Sequence, residues 1–327
     1  MQTPSPKVSV VIAAYNVAEY IGETLESVFN QTFTDYEVIV INDGSEDESE
    51  LSKVLAPYLE RIVYRRQENR GLAAARNAGI RTARGHYIAF LDADDLWETE
   101  FLRRQIEFFE QERCDLAYTD ALLFGDSEFS GRTFMEIAPS VGEVNFDSLI
   151  AARCNVIGSA VVARRQSLID AGYFDEALRN AQDFDLWIRM ALRGARMGYQ
   201  RTVLVRYRYR EGSLSGDAVN RVNRELRVYR KILQQYDLTP AQCTRVEQAI
   251  LRLDRELNLV LGKEHLNRRE FDQALDCFRK AQNIQSSWKL GVTCALLSIA
   301  PNIFTRLNSS LNARRRKRAR IILRNTP

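Results

Sequence analysis

The chain has 327 residues, with 46 Lys and Arg against 43 Asp and Glu. It can therefore bury a substantial core in more than one compact domain, and its net charge of +3 names no partner. Five scattered cysteines (Cys114, Cys154, Cys243, Cys277 and Cys294) lack C-x-x-C spacing. They argue against a zinc site or a disulfide framework and fit a reducing compartment. The opening Met1-Gln2-Thr3-Pro4-Ser5-Pro6 is polar and unlike a signal peptide. No run reaches the roughly 18 apolar residues of a spanning helix. The expectation is a cytoplasmic protein.

From Lys7 onward, β-rich runs alternate with helical patterns. Strands are predicted at Val8 to Ala14, Glu37 to Ile41, Arg61 to Tyr64 and Tyr87 to Leu91. Helices are predicted at Glu19 to Phe29, through Val54, and over the Ala-rich stretch from Gly71 to Thr82. Continuous apolar strands alternating with helices predict an α/β domain with a mostly parallel sheet flanked by helices.

In such sheets, ligands collect beyond the carboxyl ends of the strands. Polar residues stand at three of those ends: Tyr15-Asn16, Asn42-Asp43 and the acidic turn Asp92-Ala93-Asp94-Asp95. The turn places three carboxylates within four residues. Oxygen ligands of this kind suit Mg²⁺ or Mn²⁺. Taken alone, the stretch reads equally well as a strand followed by a helix capped by Asp95 or Thr99. After the first strand, Ala13-Ala14-Tyr15-Asn16 replaces the Gly-rich turn of a dinucleotide-binding fold, and G-x-x-x-x-G-K-[ST] is absent.

A helix is predicted over Glu100 to Glu112, with strands at Asp115 to Thr119, Asn155 to Ala163 and Val203 to Tyr209. Between the first two of these strands, Gly125 to Asn145 reads as a mobile excursion. Gly172-Tyr173-Phe174-Asp175 leads into a helical pattern from Gln182 to Arg193, and Arg210 to Gly216 is a polar loop. After about Asp217 only helices are predicted, at Arg221 to Tyr236 and Ala241 to Asn267. Leu257 to Leu266 and Phe271 to Ala281 resemble the two helices of a tetratricopeptide-type hairpin, and a single unit of that kind needs neighbours. Domain boundaries are set at 1–216 and 217–327. An apolar segment from Trp288 to Ile303 precedes the basic run Arg314 to Arg320, a combination suited to an anionic membrane surface.

Seven stretches carry a family resemblance. They are Val8 to Asn16, Val40 to Ser45, Asn69 to Gly79, Gly85 to Asp95, Gly172 to Asp175, Gln182 to Arg189 and Tyr207 to Ser215. In that order they resemble the family 2 glycosyltransferases, which have the GT-A fold and take sugars from nucleoside diphosphates with inversion. The resemblance implies that Asp94 binds the metal, Mn²⁺ or Mg²⁺, and that Asp92 contacts the nucleotide ribose or metal-bound water. It further implies that Asp43 accepts hydrogen bonds from the base and that Tyr15 packs on it. Ala13, Asn16 and Ala93 line the same slot, and Arg76 either reaches the diphosphate or braces the acidic turn. Asp95 is expected to be structural.

The same resemblance makes Asp183 the general base, with Asp185 as its competitor. Two departures stand out. Gln182 occupies the place of a Glu, and Arg210 lies where many relatives carry a His; it is expected to fold over the diphosphate. The implied partners are a nucleotide-sugar donor, UDP-linked by the family's default, and a saccharide or lipid-linked acceptor. No nucleic acid is expected. The implied role is surface polysaccharide or glycolipid assembly. The competing readings are a non-catalytic nucleotide-sugar binder or scaffold and a nucleotidyltransferase.

Overall fold

The computed structural model describes residues 5–126, 129–209, 218–299 and Pro301. The chain divides into two compact units, Met1–Gly216 and Asp217–Pro327.

The first unit is built on one eight-stranded sheet. Its strands are β1 (Val8–Ala14), β2 (Tyr36–Asn42), β3 (Val63–Arg66), β4 (Tyr87–Asp92), β5 (Leu96–Trp97), β6 (Leu116–Gly125), β7 (Val161–Arg164) and β8 (Met197–Tyr209). They lie in the order β3-β2-β1-β4-β7-β6-β8-β5. The helices are α1 (Ile21–Phe29), α2 (Glu48–Leu55), α3 (Leu72–Thr82), α4 (Phe101–Glu112), α5 (Phe134–Ile137), α6 (Phe146–Ile150), α7 (Arg165–Asp170) and α8 (Gln182–Leu192).

The half formed by β3, β2, β1 and β4 is parallel throughout. Its central strands are apolar through the middle of their length because both faces are covered, as burial of Val10, Ile12, Ile39, Ile41, Ile88 and Phe90 shows. Beyond β4 the sheet is mixed: β7 runs antiparallel to β4 and β6, while β8 is parallel to β6. The sequence pattern assigned no direction to the strands of this half. The run Asn155 to Ala163 is mostly not strand: a 3₁₀ turn at Gly158–Ala160 precedes β7.

The stretch from Gly125 to Asn145 is pinned where it is described. Asp120 Oδ1 accepts from Met135 N at 2.9 Å, the Tyr118 and Ser140 hydroxyls lie 2.7 Å apart, and Leu122 bridges to Thr133. Residues 127 and 128 lie outside the described set.

Helix α3 packs on β1 through Gly79. A Cβ at that position would stand 2.2 Å from Val11 Cγ1, so only glycine lets the helix come this close. Register then fixes the carboxyl edge of the sheet. Ala13 pairs with Ile41 on one side and Asp92 on the other, and Ala14 pairs with Asn42. The three polar strand ends are thereby set side by side.

The second unit holds α9 (Ala218–Gln235), α10 (Pro240–Asn267), α11 (Phe271–Ile284) and α12 (Trp288–Ile299). Helix α10 is one continuous element of 28 residues, so the segment from Leu257 to Leu266 is its last part rather than a separate helix. Its start is fixed by a capping box between Thr239 and Gln242. Leu266, Ala274, Phe278, Ala281, Leu290 and Leu297 form the core of α10, α11 and α12. Among the described residues no helix is long and apolar enough to cross a membrane.

Candidate active site

The acidic turn follows β4 and is held from three directions. Asp95 N donates to Asp92 O at 3.0 Å, closing the turn on itself. From α1, the Thr24 hydroxyl lies 2.9 Å from the carbonyls of both Ala93 and Asp95. From the turn before β7, Ser159 accepts from Asp92 N at 3.1 Å and donates to Asp95 Oδ2 at 2.5 Å. From the end of β8, Arg208 N donates to Asp95 Oδ1 at 2.7 Å and Arg208 Nε donates to Asp94 O at 2.8 Å.

Asp95 is thus the fastener of the turn, at 1% exposure. Burial pushes its carboxyl well above the usual range, aided by the charges of Asp92 and Asp94 and opposed by the Ser159 and Arg208 hydrogen bonds. Ala93 is buried with it, while Asp92 and Asp94 stay partly exposed.

Arg76 comes up from α3 beneath the turn. It is buried, and its Nη2 lies 2.5 Å from Asp92 Oδ1, so it braces the turn. Its guanidinium stands 5.5 Å from the centre of the Phe174 ring and 5.9 Å from that of Phe90. Burial alone would loosen its proton; the charges of Asp92, Asp183 and Asp95 overcome that and raise its pKa.

Asp183, in the first turn of α8, is therefore electrostatically coupled to the residue that grips Asp92. It is partly exposed, and its Oδ1 accepts from Phe184 N at 2.8 Å. Its competitor Asp185 is fully buried in an ion pair with Arg189 at 2.8 Å. Arg189 also donates to the carbonyls of Ala171 and Tyr173. The following residue, Phe174, exchanges two 2.9 Å hydrogen bonds with the Asn77 side chain on α3. A chain of fixed contacts thus runs from α8 through residues 171–174 to α3 and β4. Gln182 is buried, and among the described residues its Oε1 has no hydrogen-bond partner.

Asp43 begins the turn after β2. Its Oδ1 accepts from Gln67 Nε2 at 2.7 Å and from Arg70 N at 3.0 Å, and its Oδ2 accepts from Gly71 N at 2.8 Å. At 3% exposure this carboxylate shapes the segment leading to α3, so any contact with a ligand uses its remaining lone pairs. Gly44 follows at φ +70°, where a side chain would meet Asn69 N at 2.8 Å. Tyr15 is 41% exposed at the end of β1. Asn16, at φ +53°, accepts from Glu46 N at 2.8 Å and ties β1 to the turn after β2. Ala13 is half-buried between them.

The carboxyl edge therefore brings together Ala13, Tyr15, Asn16, Asp43, Arg76, Asp92, Ala93, Asp94 and, through Arg76, Asp183. Arg210 and the run Arg314 to Arg320 lie outside the described residues. Arg208 and Ser159 were not singled out from the sequence. Ser159 is marked only by the small residues Gly158-Ser159-Ala160 interrupting an apolar run, and Arg208 only by closing a strand beside a polar loop.

Among the described residues no three His, Cys, Asp or Glu side chains gather around one point. A closed cage is not required for Mg²⁺ or Mn²⁺, which bind through one or two carboxylates completed by substrate phosphates. Asp94, with Asp92 two residues away, fits that pattern.

The model of glycosyl transferase family 2 matches residues 9–169. The chain is 30% identical over 229 residues to an Escherichia coli UDP-Glc:α-D-GlcNAc-diphosphoundecaprenol β-1,3-glucosyltransferase, covering 69% of this chain and 86% of that one. It is 29% identical over 246 residues to a putative teichuronic acid biosynthesis glycosyltransferase of Bacillus subtilis, covering 73% and 93%. An uncharacterized glycosyltransferase of Rickettsia felis is 30% identical over 211 residues, but the chain spans only 34% of its length.

Two solved structures share the fold. Staphylococcus aureus TarS residues 1–349 with UDP-GlcNAc aligns at TM-score 0.61 and 20% identity, covering 91% of this chain and 89% of that one. A Pyrobaculum calidifontis mannosyltransferase with GDP-Man and Mn²⁺ aligns at TM-score 0.61 and 18% identity, covering 95% and 86%. With a GT-A type sheet, and with a relative matched over most of its own length, the chain belongs to glycosyl transferase family 2.

Proposed function

We propose that the protein is an inverting glycosyltransferase that moves a sugar from a nucleoside-diphosphate donor, a UDP-sugar, to a hydroxyl of a lipid-linked saccharide. The observation that carries the reading is the placement of Arg76, which grips Asp92 while feeling the charge of Asp183. The ion pair with Asp92 and the influence of the Asp183 charge on the same guanidinium support reading the donor-side and acceptor-side carboxylates as one site. The UDP-Glc and diphosphoundecaprenol in the name of the Escherichia coli relative support the donor and acceptor class. That relative and the teichuronic acid one support a place in cell-surface polysaccharide assembly.

In this mechanism Asp43, Tyr15, Ala13 and Asn16 form the slot for the base, and Asp92 and Ala93 line the side toward the ribose and diphosphate. Asp94, with Asp92, would hold a divalent cation that supplies charge neutralisation for the departing diphosphate. Asp183 accepts the proton of the acceptor hydroxyl as its oxygen bonds to the anomeric carbon and the bond to the diphosphate oxygen breaks. One displacement from the opposite face inverts that carbon. Arg210, just past β8, would add positive charge over the diphosphate. A lipid-linked acceptor is consistent with a C-terminal region that meets a membrane surface.

The test is a panel of nucleotide-sugars with Mn²⁺ or Mg²⁺, reading donor binding and diphosphate release for the native chain and Asp183→Asn. The expected result is metal-dependent binding in both proteins, with transfer only in the native chain. Full transfer by Asp183→Asn overturns the base assignment, and the absence of binding across the panel overturns the function.

A further inference from the structure

Helix α12 is apolar on two faces. One side, with Leu290, Cys294 and Leu297, packs into the core formed with Leu266, Ala274, Phe278 and Ala281. On the outside, Trp288, Val292, Leu296 and Ile299 are 76%, 49%, 43% and 83% exposed. Their spacing of four, four and three residues sets them in one stripe along the helix. Lys289 is the only charged residue of the helix. Single exposed apolar side chains are ordinary, but a contiguous stripe marks a surface that meets something.

Charge identifies what it meets. From Cys277 to Pro327 the sequence carries eleven Lys or Arg and not one Asp or Glu. A second copy of this surface would bring like charges together, whereas an anionic bilayer complements them. An apolar outer stripe bordered by cationic side chains suits a helix lying along the plane of the interface. Trp288 heads the stripe with the Lys289 ammonium 5.9 Å from its ring centre, a pairing suited to the headgroup zone.

We infer that the outward stripe Trp288, Val292, Leu296 and Ile299 of α12 docks in the interface of an anionic lipid bilayer. The excess of Lys and Arg from Cys277 onward favours an anionic over a neutral lipid surface. This deepens the reading that the C-terminal region meets the membrane, and it names the contact surface.

The chain supplies its own probe. Of its three tryptophans, Trp97 and Trp187 are buried and Trp288 is exposed. Purified full-length protein is mixed with phosphatidylcholine vesicles with or without phosphatidylglycerol. Only the anionic vesicles are expected to shift Trp emission to the blue and to quench it when they carry brominated acyl chains. Salt should weaken the effect. The double variant Trp288→Ser, Ile299→Ser should bind anionic vesicles at least about ten-fold more weakly, since each side chain loses its apolar transfer free energy.

An unshifted emission overturns the proposal, even if the double variant fails to fold. So does undiminished vesicle binding by a folded variant. A native dimer that the variant splits, without vesicle binding, assigns the stripe to a second copy. Duplex DNA or RNA binding in place of vesicle binding assigns the basic run to nucleic acid. Diphosphate release measured without lipid on the same preparations reports the glycosyltransferase reading separately.

Discussion

Arg76 Nη2 and Asp92 Oδ1 lie 2.5 Å apart beneath the acidic turn, joining α3 to the end of β4. The cation is buried and its partner partly exposed. Removing the guanidinium would leave Asp92 beside Asp94 and Asp95 with no opposing charge from below. Arg76→Ala is therefore expected to cost about 2 kcal/mol, less than for a fully buried pair because Asp92 retains some water. Transfer should fall by at least about a hundred-fold with the loss of about 2.7 kcal/mol of transition-state stabilisation. Arg76→Lys should restore part of the stability but little of the activity, because an ammonium lacks the planar fork. Thermal unfolding and initial rates measured together check both statements.

Asp94 and Asp183 are expected to fail in different ways. Asp94→Asn should weaken metal-dependent donor binding, and chelation of the cation should reproduce that loss in the native chain. Asp183→Asn should leave donor affinity within about two-fold and lower transfer by roughly 10²–10⁴-fold, the range of a general base. Calorimetric donor titrations set beside turnover separate the two. Equal loss of donor binding in both variants would show that the carboxylates do not divide the work in this way.

Asp95 satisfies two donors, Ser159 Oγ and Arg208 N. Asp95→Ala strands both in a buried setting and is expected to destabilise the first unit by about 2 kcal/mol. Arg208→Ala removes the donor to Asp94 O and the 2.6 Å ion pair with Glu23, leaving the β-sheet pairing of its backbone intact. Its expected signature is weaker metal-dependent donor binding with a change in melting temperature of only a few degrees. A drop in stability without a change in donor affinity would make Arg208 a packing residue only.

Gly79→Ala tests the seating of α3. The added methyl would overlap Val11 of β1, and relief requires the helix to shift. A loss of about 1–3 kcal/mol is expected from overpacking, read from urea unfolding. Because Asn77 and Arg76 ride on the same helix, activity should fall along with stability.

Cys114 is 2% exposed, and burial pushes its thiol up from 9.0 to about 11. Below pH 9 the thiol is neutral in both folded and unfolded chains, so its contribution to stability is complete. Between about 9 and 11 the unfolded chain ionises first, and stability falls as pH rises through that window. Alkylation at pH 8 should leave Cys114 unmodified in the native protein, as peptide mass mapping would show.

The order of strands and helices up to β4 was written in the sequence, because buried parallel strands need continuous apolar runs and their ends need turns. Tyr15, Asp43 and Asp92 to Asp95 stood out as candidates from their position after such runs, and strand register sets those ends side by side. The family followed from seven stretches in a fixed order. Hydrophobic pattern did not carry strand direction, so the mixed half of the sheet and the 3₁₀ turn bearing Ser159 appeared only in the fold. Nor did it show that Gly125 to Asn145 is tied down, since its anchors, Asp120 and Tyr118, lie on a neighbouring strand.

For the site, sequence by itself named the carboxylates, and tertiary structure decided what each one touches. Asp183 and Asp185 are two residues apart and chemically alike. Asp185 is fully buried in an ion pair with Arg189, while Asp183 remains partly exposed and its charge reaches Arg76. Asp95 was expected to be structural, and only the fold showed how: Ser159 and Arg208, from distant parts of the chain, close on it. Spacing along a chain sets which groups are present. Partners brought from tens of residues away set their burial, their charge and the direction in which they are held.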